Sequence, residues 1–247
     1  MSNHLTTIVS KSENQNEWIV HWRQGVQIQG IVKLVVKESV DDPEIVAELY
    51  ALQWLLEHRS LFGVSQAGKG LALTVSCGAI KKLAKAAEKN IDLRESQLGK
   101  PHLFPYAKFL GTRFCGVQIS VDKKSEWILP RAQNDVTELV VGAPLPSVID
   151  VKGIGPSAMT AHAYEQFTKR NATLDRGETW RQLRRLMESG LRPASLSDER
   201  AENYRRRYGE GYRIMVHDET KWGFVISADV PLPKITTAYS VKQSVVG

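Results

Sequence analysis

Between positions 43 and 59, apolar residues recur at the spacing of a helix with one buried face. That face consists of Ile45, Val46, Leu49, Leu52, Trp54, Leu55 and Leu56. Pro43 suits the first turn, and Asp41 or Asp42 can cap it. Glu48 lies within this apolar helix. Its carboxylate therefore needs a cation or hydrogen-bond donors if it is buried.

The rest of the first half shows further strand and helix patterns, bounded by turn residues. Residues 71–75 form a short apolar run typical of a buried strand. Residues 117–121 alternate apolar and polar positions, as a half-buried strand does. Together the patterns predict strands at 6–10, 17–23, 26–36, 71–75 and 117–121, and helices at 79–89 and 133–141.

The second half begins with a Pro- and Gly-rich segment at 143–158, which predicts a linker with room for a short strand at 148–151. Helices are predicted from 159 to 170 and from about 175 to Gly190. Residues 201–208 fit either a helix or a strand. Strands at 212–217, 222–227 and 234–241 complete an α+β domain with two helices on an antiparallel sheet, spanning 159–247.

Length and composition exclude several classes of protein. No apolar run approaches the length that spans a bilayer, and the N-terminus lacks a secretory signal pattern. Cys77 and Cys115 are too few for a disulfide framework or a cysteine-based zinc site. We expect a cytoplasmic protein without a membrane partner.

Positive charge is concentrated in the last two-fifths of the chain. Residues 1–150 contain 17 Lys and Arg against 16 Asp and Glu, whereas residues 151–247 contain 16 against 11. A basic region attracts phosphate backbones. The predicted partner is a nucleic acid, with RNA favoured over DNA, and the predicted phosphate-binding residues are Arg181, Arg184, Arg185, Arg205, Arg206, Arg207 and Lys242.

The order of elements over residues 5–142 resembles the RNase H-like fold, an α/β fold. Ala47-Glu48-Leu49 is similar to the family's first helix, which presents a metal-binding Glu. Residues 73–81 are similar to its fourth strand and following helix, and 134–139 to its last carboxylate-bearing helix. The resemblance implies an RNase H-like domain at 1–142.

The carboxylates that this family uses are incomplete in the chain. Ser10 and Ser76 stand where the resemblance implies acidic residues, which leaves Glu48 and Glu138. Two carboxylates are too few for a pair of Mg²⁺ ions, which must stabilise both the attacking and the leaving oxygen. We therefore expect a degenerate site in this domain, with no metal and no cofactor.

The C-terminal domain contains residue types suited to metal-independent RNA cleavage. That reaction needs a general base, a general acid and cations on the phosphate. His162 and His217 are the candidates for acid and base. Arg170, Arg213 and Lys242 are candidate phosphate-binding residues, and Thr237 or Tyr239 would orient the scissile group. Tyr208 or Trp222 would stack a base.

Residues 160–243 resemble the small ribonuclease domains grouped around barnase, EndoU, colicin-type and RelE-type toxins. The resemblance rests on the helix His162 to Arg170, the Tyr212-Arg213 strand and the last strand Ile235 to Tyr239. It implies a toxin-like endoribonuclease whose N-terminal domain places the substrate or regulates the reaction. It also implies an inhibitor protein or partner subunit.

Two other functions fit the same residues. The first is a non-catalytic protein that binds nucleic acid or another protein through a degenerate RNase H-like scaffold. The second is a metal nuclease built from Glu48, Glu138 and a further carboxylate such as Asp122. Each candidate also has a structural interpretation, since a helix-surface histidine or a sheet-core tyrosine needs no catalytic role.

Overall fold

The computed structural model describes residues 3–26, 28–89, 100–124, 126–128, 135–171 and 176–240. The chain separates into two compact units, Met1–Leu145 and Pro146–Gly247. Both units are mixed α/β structures built around one sheet each. No helix within the described ranges is long and apolar enough to cross a membrane.

The first unit is organised by a six-stranded sheet. Its strands are β1 (Asn3–Lys11), β2 (Glu17–Gln24), β3 (Ile28–Val35), β4 (Leu71–Val75), β5 (Gln118–Val121) and β6 (Val136–Val140). They are arranged in the order β5-β4-β1-β2-β3-β6. The first three strands pair antiparallel, while β4 joins β1, β5 joins β4 and β6 joins β3 in parallel.

One face of this sheet packs against helices. They are α1 (Pro43–Gln53), which continues as a π-helical turn at Trp54–His58, α2 (Gly78–Lys89) and α3 (Phe104–Gly111). Strand alternation directs Leu5, Val20 and Trp22 into this core, where all three are fully buried. Gly30 is required there, because a Cβ at this position would lie 2.7 Å from the Trp22 ring.

The predicted helix at 133–141 is wrong where the structure describes it, because Val136–Val140 form strand β6. Val136, Leu139 and Val140 satisfy helical spacing, which explains the misassignment. Three of the five residues are β-branched, which favours the strand. Asp135 fixes its start, since its carboxylate pairs with Arg59 at 2.8 Å and its carbonyl accepts the N–H of Ile31.

The second unit also contains a six-stranded sheet. Its elements in chain order are β7 (Ser147–Val151), β8 (Gly155–Met159), α4 (Ala161–Arg170), α5 (Arg176–Ser189), β9 (Leu191–Pro193), α6 (Asp198–Tyr208), β10 (Arg213–His217), β11 (Trp222–Ser227) and β12 (Lys234–Ser240). The strand order is β7-β8-β12-β11-β10-β9. All pairs are antiparallel except β12 and β8.

This architecture differs from the predicted one in two respects. The segment at 143–158 contains the hairpin of β7 and β8, so most of it belongs to the sheet of the second unit. The sheet is therefore mixed rather than antiparallel. The ambiguous stretch at 201–208 lies in helix α6, so the described part of this unit has a third helix in addition to the two that were predicted.

Helices pack on both faces of the second sheet. On one face, Phe167 of α4 lies 4.4 Å from the Trp222 ring and 6.2 Å from the Phe224 ring, between centroids. On the other face, Tyr204 and Tyr208 of α6 pack against a cluster of Ile214, Val216 and Val225. Phe224 and Val225 are adjacent residues of β11, so the two helices lie on opposite faces.

Candidate functional site

Helix α1 presents the carboxylate of Glu48 to the middle of β1 and to the end of β4. The side chain is completely buried. Oε1 accepts hydrogen bonds from the Thr7 hydroxyl and the Ser76 backbone N–H, both at 2.8 Å. Oε2 accepts one from the Ser76 hydroxyl at 3.0 Å and one from the Cys77 N–H at 2.8 Å. Four donors therefore compensate the buried charge.

The hydrogen bonds within the folded protein already occupy the acceptor positions of the Glu48 carboxylate. Two carboxylate oxygens offer about four lone-pair positions, and four donors already occupy them. The N–H groups of Ser76 and Cys77 immediately precede α2, where the helix dipole favours a negative charge. Among the described residues, no group of three or more His, Cys, Asp or Glu is arranged to hold a metal ion. Glu48 joins α1 to the start of α2.

Cys77 lies beside this carboxylate but is a poor nucleophile. Burial raises the pKa of its thiol well above the usual range, and the negative charge of Glu48 raises it further. A thiolate, the reactive form, is therefore disfavoured at neutral pH. A pocket of about 350 Å³ adjoins the residue, and its lining includes Glu44, Gly78 and Lys123.

Two residues that were predicted to share a site with Glu48 lie elsewhere. Ser10 is exposed near the end of β1 and, by strand alternation, projects from the face opposite to Thr7. Glu138 is exposed on β6, where its carboxylate lies 3.6 Å from the Lys33 ammonium. Strand β6 is three strands from β1, or about 14 Å at the usual strand spacing. The structure brings only Glu48 and Ser76 together.

Sequence reasoning missed Thr7, which takes the place assigned to Ser10. Thr7 is fully buried and lies between Leu5 and Val9 on the core-facing side of β1. A polar residue at a core-facing position of an apolar strand was the available signal, because a buried hydroxyl needs a partner.

The two predicted catalytic histidines have different environments. His217 is buried in β10, and its Nδ1 accepts the Thr220 N–H at 3.3 Å. Its Nε2 lies 3.5 Å from the Ser189 hydroxyl. His162 is exposed in the first turn of α4. Only His162 presents an imidazole to solvent.

The other predicted catalytic residues lie on different parts of the sheet. Thr237 and Tyr239 pair with Val225 and Gly223 of β11, so they share the face that α6 covers. His217 pairs with Trp222 and therefore points to the opposite face. Arg170 donates to the Ala238 carbonyl and to Gln166 Oε1, both at 2.9 Å. These contacts give Arg170 a structural role between α4 and β12.

Most of the predicted phosphate-binding arginines form ion pairs within their own helices. Arg181 pairs with Glu178 at 2.8 Å and Arg184 with Glu188 at 2.7 Å. Arg205 and Arg206 share Glu202, at 2.5 and 3.3 Å. Exposed ion pairs contribute little energy, so a phosphate can compete for these arginines. Arg185 is exposed, and Lys242 lies outside the described residues.

Four tyrosines form a cluster where α6 meets the sheet, which we call the tyrosine cluster: Tyr204, Tyr208, Tyr212 and Tyr239. The Tyr204 ring lies 5.6 Å from Tyr208 and stacks on Tyr212 at 5.9 Å, between centroids. All four side chains are half-buried. Each side chain is therefore partly packed and partly accessible to solvent.

Arginines flank this cluster. Burial raises the pKa of Tyr239 to about 12, and the nearby Tyr204 adds to the shift, while the positive charge of Arg200 opposes it. Burial likewise raises the pKa of Tyr204, against the charges of Arg200 and Arg207. The Arg207 guanidinium lies 5.5 Å from the centroid of the Tyr208 ring. Neutral phenol rings thus lie beside permanent positive charges.

A pocket of about 400 Å³ opens next to Tyr212 of the cluster. Arg205 and Arg213 both line it, so the structure brings together one predicted phosphate-binding residue and one predicted catalytic residue. Pockets of this size accommodate small organic groups such as a nucleobase. Trp222 does not belong to this surface, because it is buried against Phe167.

Comparisons with protein-family models, with curated proteins and with solved structures found no match to this chain.

Proposed function

We propose that this protein binds single-stranded RNA through its second unit. The tyrosine cluster flanked by arginines is the observation that supports this function. Partly exposed aromatic rings can stack on unpaired bases, and arginines bind the phosphates that link the bases. The excess of Lys and Arg over Asp and Glu in residues 151–247, 16 against 11, adds a long-range attraction for the polyanion.

The first unit serves in this proposal as an RNase H-like scaffold without metal-dependent catalysis. Its order of elements from β1 to β5 supports the scaffold. The four hydrogen bonds that occupy the Glu48 carboxylate support the loss of catalysis. Glu138 and Ser10 lie too far from Glu48 to complete a cation site.

Fluorescence anisotropy of a 5′-labelled single-stranded RNA tests the binding. We expect saturable binding that weakens steeply as the KCl concentration rises, and weaker binding of the same sequence as a duplex, whose bases are already stacked. An affinity for duplex equal to that for single strands would contradict base stacking. The corresponding single-stranded DNA measures the preference for RNA.

A toxin-like endoribonuclease in the second unit is the second proposal, and the exposed imidazole of His162 supports it. The same RNA, incubated with the protein in EDTA and analysed on a gel, separates the two functions. Binding without cleavage supports the binding protein. Cleavage that His162→Ala abolishes would establish the endoribonuclease.

A further inference from the structure

Helix α2 presents four lysines to solvent. Its apolar residues Ile80, Leu83, Ala84 and Ala87 are buried in the core of the first unit. Every exposed side chain of the helix is a lysine. These four residues, which we call the lysine face, are Lys81, Lys82, Lys85 and Lys89. The core packing on the other side holds the lysine face in a fixed position.

The four lysines of the lysine face have no ion-pair partner among the described residues. No carboxylate in that part of the chain lies within ion-pair distance of its four ammonium groups. Glu88, the acidic residue of the same helix, accepts the Gly116 N–H at 2.9 Å. Four arginines of α5 and α6, in contrast, form an ion pair with a glutamate of their own helix.

Like charges four residues apart destabilise a helix by a few tenths of a kcal/mol per pair. Lys81, Lys85 and Lys89 form two such pairs along one row. A polyanion bound to the row would relieve this repulsion. The basic surface also extends past the helix, because Lys123 lines the pocket at its first turn.

The geometry points to the phosphate backbone of a nucleic acid as the ligand: we infer that the lysine face of α2 is a second, sequence-independent nucleic-acid contact. At 1.5 Å per residue, Lys81 to Lys89 span about 12 Å. Three ammonium groups spread over this length can each contact a phosphate of the same backbone, which gives about three phosphate contacts.

A membrane surface fits this face less well. A helix that lies on a bilayer inserts an apolar face between the lipids. The apolar residues of α2 are already buried within the protein, and the exposed side chains have only charge to offer. The face therefore suits a ligand that is recognised by charge spacing.

The test uses the full chain and the labelled single-stranded RNA of the binding assay. The variant Lys81→Gln/Lys85→Gln/Lys89→Gln should reduce the affinity by about tenfold at moderate salt. It should also reduce the slope of log affinity against log KCl by about two, since each phosphate contact adds about 0.7 for a single strand. The control Lys11→Gln/Lys37→Gln/Lys152→Gln removes the same charge from exposed positions elsewhere.

An unchanged slope in the α2 variant, or an equal loss in the control, would overturn the inference, as would absence of binding by the wild type. It would also fail if the α2 variant lost binding to phosphatidylserine vesicles but not to RNA. This inference rests on the proposed RNA binding, but the measurements distinguish a failure of the lysine face from a failure of the tyrosine cluster. Tyrosine-cluster variants should lower the affinity without changing the slope, so either contact can fail alone.

Discussion

Ser76 donates two hydrogen bonds to the carboxylate of Glu48, one from its backbone N–H at 2.8 Å and one from its hydroxyl at 3.0 Å. The hydroxyl oxygen also accepts the N–H of Val9 at 3.0 Å. A residue that both donates and accepts thus links α1, β1 and the start of α2. An aspartate at this position would place a second acceptor against Glu48.

The Glu48 carboxylate should therefore contribute to stability. In Glu48→Gln, an amide NH₂ would face two of the four donors and leave them unsatisfied in the core. We expect a loss of about 3 kcal/mol in the free energy of unfolding, measured by urea denaturation. Glu13→Gln, at an exposed position, should change it by less than about 0.5 kcal/mol. Equal effects of the two substitutions would contradict the structural role.

Ser76→Asp should destabilise the protein at neutral pH, because two adjacent carboxylates repel each other. Protonation of one of the two carboxylates would remove this repulsion from the folded state. The difference in the free energy of unfolding between Ser76→Asp and the wild type should therefore become smaller as the pH falls from 7 to 5. Urea denaturation at both values measures this difference. A loss that stays constant across this range would indicate that the two carboxylates do not interact.

His21 should make stability fall in mild acid. Burial lowers its pKa, and its Nδ1 is buried without a hydrogen-bond partner among the described residues. The unfolded chain then binds more protons than the folded one near pH 6, so stability decreases as the pH falls below about 6.5.

The substitution His21→Phe isolates this effect, since the ring lies between Ile8 and Ile31 of the neighbouring strands. The loss of stability between pH 7.5 and 5.5 should be smaller in this variant than in the wild type. The control His162→Gln, at an exposed position, should lose as much stability between these two pH values as the wild type does. If His21→Phe loses as much stability as the wild type, His21 is not the titrating group.

Arg170 should matter for folding rather than for RNA chemistry. Its guanidinium donates to the Ala238 carbonyl of β12, and the substitution Arg170→Met removes that contact while keeping an apolar stem. We expect a loss of about 1–3 kcal/mol in the free energy of unfolding and unchanged RNA affinity. Arg185→Met, at an exposed position, serves as the matched control. A stable Arg170→Met protein with weakened RNA binding would reverse the assignment.

Local patterns predicted most helices and strands because burial imposes a period on each element. The buried stripe from Ile45 to Leu56 is such a case. The prediction for β6 was wrong because the spacing of Val136 and Val140 fits both the helical and the strand period. The contact between Arg59 and Asp135, which fixes the start of the strand, joins residues 76 positions apart and is not visible in a local pattern. Strand β7 confirms the short strand predicted at 148–151, whereas β8 was missed because the glycines and prolines around it also suit a linker.

The candidate site was less predictable than the fold, because the face of the sheet to which a strand residue points depends on how the strands pair. His217 and Tyr239 were both strand residues in the sequence, but only the pairing with β11 shows that they point to opposite faces. Tyr204 belongs to the tyrosine cluster because residues 201–208 lie in helix α6, which the sequence left open between a helix and a strand. Charge counts predicted a basic second half but could not show which arginines have a glutamate beside them.

The direct test of RNA binding by the tyrosine cluster is the affinity of the variant Tyr204→Leu/Tyr208→Leu for single-stranded RNA. Leucine preserves apolar packing on Ile214 and Val225 but removes the rings that stack on bases. We expect an affinity about ten- to a hundredfold weaker than that of the wild type, with the salt dependence unchanged. Tyr204→Phe/Tyr208→Phe should bind as the wild type does. A leucine variant that folds and binds RNA with wild-type affinity would contradict the account.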